Sequence, residues 1–164
     1  MRRRGLAATV VVALAIATGV AAASSDSAVI VNSGSTNSAG YTIQVSSDGK
    51  GSVSVQQANG GAASGPKAFT IPAATVARFF SDLAAARKSN AATVPCMKSA
   101  SFGTTEHVKW QGWTSPDLSC PPKGPEGDAL VSDVAAIRQA AGIREFPARS
   151  GGPSVAPTPR ERQP

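Results

Sequence analysis

The chain holds one histidine, one tyrosine and two cysteines, and aromatic residues make up only 5% of it. Each scarcity excludes something. A single imidazole, His107, and two widely separated thiols, Cys96 and Cys120, do not supply the clustered ligands of a zinc site. No glycine-rich loop is built to cradle phosphate, and no serine stands in a nucleophile elbow. Basic residues are nowhere interleaved with aromatics in one patch, which argues against a nucleic-acid partner. Beyond the N-terminus no apolar run reaches the roughly 20 residues that span a bilayer. The expectation is no catalytic residue, no metal, no cofactor, no nucleic acid and no stable membrane span.

What is present begins with MRRRGLAATVVVALAIATGVAAASSDS: three arginines, a short apolar run from Leu6 to about Val20, then small residues. This pattern predicts a signal peptide over 1–23, with Ala21 and Ala23 forming the cleavage pattern and the mature chain starting near Ser24. The alternative is an uncleaved anchor. Leaving out Arg2, Arg3 and Arg4 takes the formal charge from +6 to +3. Arg144, Arg149, Arg160 and Arg162 against Glu145 and Glu161 account for most of the rest, so the body is close to neutral. Residues 147–164, rich in proline and arginine and poor in large apolar side chains, are expected to form a disordered tail, with a proline-rich spacer as the alternative. The chain is therefore expected to be secreted or periplasmic.

Between these ends, 24–37 reads as a polar segment with a possible short strand at 28–32, and 38–146 as one α+β domain. Tyr41, Ile43 and Val45 alternate with polar residues, as do Val53 and Val55, with DGKG between the runs. That predicts a hairpin. An odd loop over Asp48–Lys50 sets Val45 opposite Val53 and Ile43 opposite Val55. Val76, Phe79, Phe80, Leu83 and Ala84 then make one helical stripe, with Pro72 suited to the first helical position. Leu130, Val134, Ile137 and Ala141 make a second, with Asp128 as N-cap and Gly142-Ile143 as a Schellman stop. Phe102, Thr104, Glu106, Val108 and Trp110 share one strand parity, whose large apolar members should face the core. His107 then points the other way, where Glu106 cannot orient its ring. Gln111-Gly112 reads as a two-residue turn that sets Trp110 beside Trp113. The expected fold is a small antiparallel sheet of four to five strands with two helices on one face, in the order β(β)βαββα.

In an exported chain thiols are oxidised, so Cys96 and Cys120 are expected to pair. Closing a loop of about 25 residues stabilises a fold by roughly 3.5 kcal/mol on the chain-entropy account.

The segment C-M-K-S-A-S-F-G from Cys96 to Gly103, with S-P-D-L-S-C from Ser115 to Cys120, the Y-T-I-Q-V hairpin and the F-F-x-D-L helix, resembles a group of exported bacterial proteins of unknown function. The likeness covers roughly residues 28–143, and the cysteine-bounded loop is its most specific part. It implies a small exported α+β domain and assigns no catalytic residue.

Three functions fit these features in descending order. The first is a non-catalytic domain binding another protein or a cell-envelope component. Its candidate contact residues are Trp110, Trp113 and Asp117, because aromatic anchors dominate interfaces. The alternative, and the plainer one, is that both tryptophans cap a small core. The second is a secreted inhibitor of a hydrolase, which fits the size and the disulfide-held loop. The third is a small serine hydrolase using His107 as base, with Glu106 or Asp117 as orienter.

Overall fold

Alternation of apolar and polar residues dictates the sheet, and the helical stripes dictate what covers it. The computed structural model describes residues 25–143. In chain order its elements are β1 (Ser27–Asn32), β2 (Gly40–Ser46), β3 (Lys50–Gln56), β4 (Lys67–Thr70), α1 (Ala73–Lys88), β5 (Ala92–Thr93), β6 (Glu106–Trp110), β7 (Trp113–Thr114), β8 (Pro122–Lys123) and α2 (Pro125–Ala140). The fold is α+β: a six-stranded antiparallel sheet in the order β4-β3-β2-β1-β6-β7, with β5 and β8 forming a separate two-stranded ladder. The expected signal segment 1–23 and tail 147–164 lie outside the described residues.

One row of side chains shows how the core is set. Val53, Ile43, Ile30 and Val108 are register neighbours across β3, β2, β1 and β6, and all four are buried. Val76, Phe79, Leu83 and Ala86 of α1 and Leu130, Val134 and Ile137 of α2 pack on that face in the same cluster. Burial of side chains this size contributes about 1.5–3 kcal/mol each before ordering entropy is counted. α2 ends in the expected Schellman motif: Gly142 has φ 75°, Ile143 N–H donates to the Arg138 carbonyl at 3.0 Å, and Gly142 N–H donates to the Gln139 carbonyl at 3.0 Å.

Several details depart from the sequence reading. The sheet has six strands rather than four or five, because β4 adds to the free edge of β3 and the possible strand at 28–32 is a full strand between β2 and β6. β4 carries one half-buried apolar residue, Phe69, too little for a periodic signal. It lies over Gly51, where an added Cβ would come within 2.5 Å of the ring. The hairpin register is shifted by two: Ile43 faces Val53 and Val45 faces Gly51. The loop is Ser47–Gly49, one residue earlier than expected, with Gly49 at φ 86° and its N–H donating to the Ser46 carbonyl. A shift of two keeps every side chain on its face, so the core is unchanged.

α2 starts at Pro125, not after Asp128. Proline fits the first helical turn, where its missing N–H costs nothing, and Asp128 lies inside that turn. Pro72 stands just before α1 rather than within it. Phe102, expected in the core, is 65% exposed. Its parity with Trp110 holds only while the strand lasts. β1, the partner of β6, ends at Asn32, so no ladder supports residues before Glu106.

Among the described residues no helix is long and apolar enough to cross a membrane.

Candidate functional site

A large apolar side chain left in water is an anomaly in a domain with so few of them. Val94, Met97 and Phe102 are 44%, 102% and 65% exposed, and they are the exposed large hydrophobics of the described residues. All three fall on the segment between β5 and β6.

This segment is tightly held. At its start Ala92 and Thr93 pair with Lys123 and Pro122, and Val94 N–H donates to the Pro121 carbonyl at 2.8 Å. Pro95 restricts Val94 to extended backbone. Cys96 is bonded to Cys120, with Cα atoms 5.5 Å apart. One residue past Met97, the Lys98 ammonium donates to the Thr104 carbonyl at 2.6 Å, to Ser119 Oγ at 2.5 Å and to the Asp117 carboxylate. Further on, Gly103 N–H donates to the Ser99 carbonyl at 2.7 Å, and the Ser101 carbonyl accepts from Ser35 Oγ and Asn37 N–H, both at 2.9 Å.

Asp117 is the hub of the clamp. Its Oδ1 accepts from the backbone N–H of Glu106 at 3.0 Å and of Ser119 at 3.1 Å. Burial alone would raise its pKa, but the Lys98 ammonium, the Ser119 hydroxyl and these two N–H groups outweigh it and hold the carboxyl far below the ordinary carboxylate range. Hydrogen bonds to the charged form are strong, so the ionised carboxylate fixes both loop and strand.

Glu106, the first residue of β6, is buried on the core side. Its carboxylate accepts from the Tyr41 hydroxyl and from Arg138 Nη1 of α2 at 3.2 Å. Burial pushes the Tyr41 phenol well above its ordinary value, the Glu106 charge pushes it further, and Arg138 opposes both. The cluster ties α2 to the strand end where Asp117 binds.

The residues singled out in the sequence are brought together only in part. Asp117 stands in the clamp under the exposed loop. Trp110 and Trp113 face each other across the Gln111-Gly112 turn, whose φ values of 46° and 75° are those of a tight two-residue hairpin. That turn is at the other end of β6. Both tryptophans are half-buried against the core. Trp110 Nε1 donates to Asp26 Oδ2 at 2.8 Å, its ring meets Phe80 edge-on at 6.3 Å, and the Arg87 guanidinium lies 5.7 Å from its centre.

His107 lies on the opposite sheet face from Glu106, as strand parity requires. Its Nδ1–H donates to the Ser115 carbonyl at 2.9 Å, since a carbonyl only accepts. The Ser115 hydroxyl accepts from Val108 N–H and donates to the Pro116 carbonyl, each at 2.9 Å. The Ser115 hydroxyl proton is thus engaged by a backbone carbonyl rather than by the imidazole. Among the described residues no three His, Cys, Asp or Glu side chains converge as a metal-binding group.

Met97 was missed as a site residue, although PCMKS offered a signal: a lone large apolar residue between a cysteine expected to pair and the polar Lys98-Ser99. No family model, no curated protein and no solved structure matches the chain.

Proposed function

We propose that the protein is an exported, disulfide-stapled binding domain without a catalytic centre, which engages a protein or a cell-envelope component through the loop between β5 and β6. The observation that supports this most directly is the confinement of the exposed large apolar side chains of the described residues, Val94, Met97 and Phe102, to one short segment. An apolar side chain exposed this fully on a braced loop is available to anchor a partner surface. The bracing adds to the argument, because a loop ordered before contact loses less entropy on binding. Asp117 contributes to this site by anchoring Lys98, while Trp110 and Trp113 brace the far hairpin. The disulfide is compatible with an oxidising compartment outside the cytoplasm.

The test compares the wild-type chain with a Met97→Glu/Phe102→Glu variant, each immobilised and exposed to envelope and culture-medium fractions. Both side chains point into solvent, so the two proteins should melt at the same temperature. A partner held by the wild type and released by the variant is the expected result. Partners retained equally by both would overturn the assignment of the loop.

A further inference from the structure

We propose that this loop is a substrate-like inhibitor of a secreted serine endopeptidase, presenting the Met97–Lys98 peptide bond to the enzyme's cleft. The proposal rests on the loop being the contact surface and names what it contacts. A peptidase cleft takes a stretch of chain outside helix and sheet, with one side chain free to enter the primary pocket. From Val94 to Ser99 the chain belongs to no helix, strand or turn. Met97 is fully exposed, while its two neighbours, Cys96 and Lys98, are half-buried and bonded to the body of the domain.

On the N-terminal side of Met97, Cys96 is covalently joined to Cys120. On the C-terminal side, Lys98 is held by Asp117 and Ser119. Both flanks of a single peptide bond are therefore anchored to one short stretch, Asp117–Cys120, from behind. Asp117 is in turn tied to the first residue of β6.

The chemical consequence is specific. The peptidase serine hydroxyl adds to the Met97 carbonyl carbon, the bond to the Lys98 nitrogen breaks, and the proton passes to that nitrogen. In an ordinary substrate the amine then diffuses away and water completes hydrolysis. Here the amine stays beside the acyl group at high effective concentration. It attacks the ester, re-forms the peptide bond and returns the proton to the serine. Turnover is thereby slow, and affinity comes from a loop already ordered for the cleft. The unbranched, apolar Met97 side chain calls for an uncharged primary pocket.

A loop that dips into lipid would present its flanking cation to phosphates. Lys98 instead gives its ammonium to three internal acceptors. The observations therefore favour a peptidase over a membrane.

The test uses the full chain with its disulfide formed, mixed with chymotrypsin-type and subtilisin-type endopeptidases while hydrolysis of a chromogenic peptide is followed. Stoichiometric inhibition is expected. Non-reducing mass spectrometry should show one slow scission after Met97, with the halves still joined and a stable mixture of cut and intact chain. Met97→Gly should weaken inhibition on the order of 100-fold, as loss of an apolar anchor from a pocket does. Met97→Lys should redirect it to trypsin-type enzymes. Lys98→Met leaves the apex in place but removes the tether, and should raise the scission rate at least about tenfold as religation is lost.

Rapid turnover of the Met97–Lys98 bond, or no inhibition of either class at about 10 μM, would overturn the proposal, since protease–inhibitor pairs are among the tightest complexes known. If partner retention depends on Met97 and Phe102 while both classes are unaffected, the loop is the contact surface and the peptidase proposal falls. Met97-dependent co-sedimentation with phosphatidylcholine–phosphatidylglycerol vesicles would likewise reject it in favour of a lipid surface. If retention ignores both side chains and neither class is inhibited, both readings fall.

Discussion

Breaking the Cys96–Cys120 bond should lower the thermal midpoint by ten degrees or more, on the order expected from loop entropy. The bridged residues are separated by 24 positions. Closing a loop of that length removes about 3.5 kcal/mol of unfolded-chain entropy on the usual expression. Set against total stabilities of about 5–15 kcal/mol, that is a large share. The closed loop holds β6 and β7, hence Val108 of the central apolar row and Glu106 of the buried ion pair. Reduction leaves these contacts in the native state, so the loss should lie near the entropic value. At roughly 3–6 °C per kcal/mol for a domain of this size, the drop is about 10–20 °C. The assay is calorimetry with and without reductant, alongside a Cys96→Ser/Cys120→Ala variant. Alanine is chosen because Cys120 is buried and a hydroxyl there would add an unrelated cost. A fall below about 3 °C in both measurements would show that unfolded-state entropy is not what the bridge controls. Two free thiols in the unfolded, unreduced chain would refute the pairing itself.

Arg138→Ala strips the Glu106 carboxylate of its cation and should cost about 2–4 kcal/mol, read from denaturant midpoints. A loss under about 0.5 kcal/mol would show that Tyr41 alone suffices. Since Tyr41 is the only tyrosine, alkaline titration at 295 nm reports it directly. Its folded pKa is raised, so the unfolded chain ionises first. Stability is intact below the ordinary value of 10.0 and falls as pH rises above it, with absorbance rising only on unfolding. Ionisation of the native protein near pH 10 would contradict the buried bond. Asp117 has the opposite sign. Its folded pKa is depressed, so its contribution is present above the ordinary value of 3.8 and is lost as pH falls below it, an acid slope that Asp117→Asn should flatten. An unchanged slope would remove Asp117 as the hub. His107→Ala leaves the Ser115 carbonyl one donor short and should cost about 1 kcal/mol, with binding to any partner unchanged.

Much of the architecture was legible because it rests on short periods. The alternation in Tyr41–Val45 and Val53–Val55, the stripe of Val76, Phe79, Phe80 and Leu83, and the Gly142-Ile143 stop each signal a local geometry with one good solution, although the stripe closes on Ala86 and leaves Ala84 exposed. The cysteine pairing followed from thiol chemistry in the expected oxidising compartment. What stayed hidden depends on partners distant in sequence. β4 exists because β3 offers an edge, and Phe69 earns its place only over Gly51. Glu106 could be placed on the core parity of its strand, but the groups that pair with its carboxylate, Tyr41 and Arg138, arrive from two other elements. Phe102 misled for the same reason: parity says which way a strand residue points, and only the length of β1 says where the strand begins.

β1 occupies the middle of the sheet although it is the first strand of the described chain. β2 can pair with it as soon as a hairpin's worth of chain is available, and β3 and β4 extend that meander outward. The other side of β1 waits for β6, with β2, β3, β4 and α1 all intervening. A chain emerging N-terminus first therefore passes through a stage with a three- or four-stranded sheet, one helix and an unfilled seam beside Ile30. Such an edge accepts any matching strand, including β6 of a second copy. Completion of this fold is a late, long-range event, and conditions that stall the chain before β6 should favour exchanged dimers over monomers.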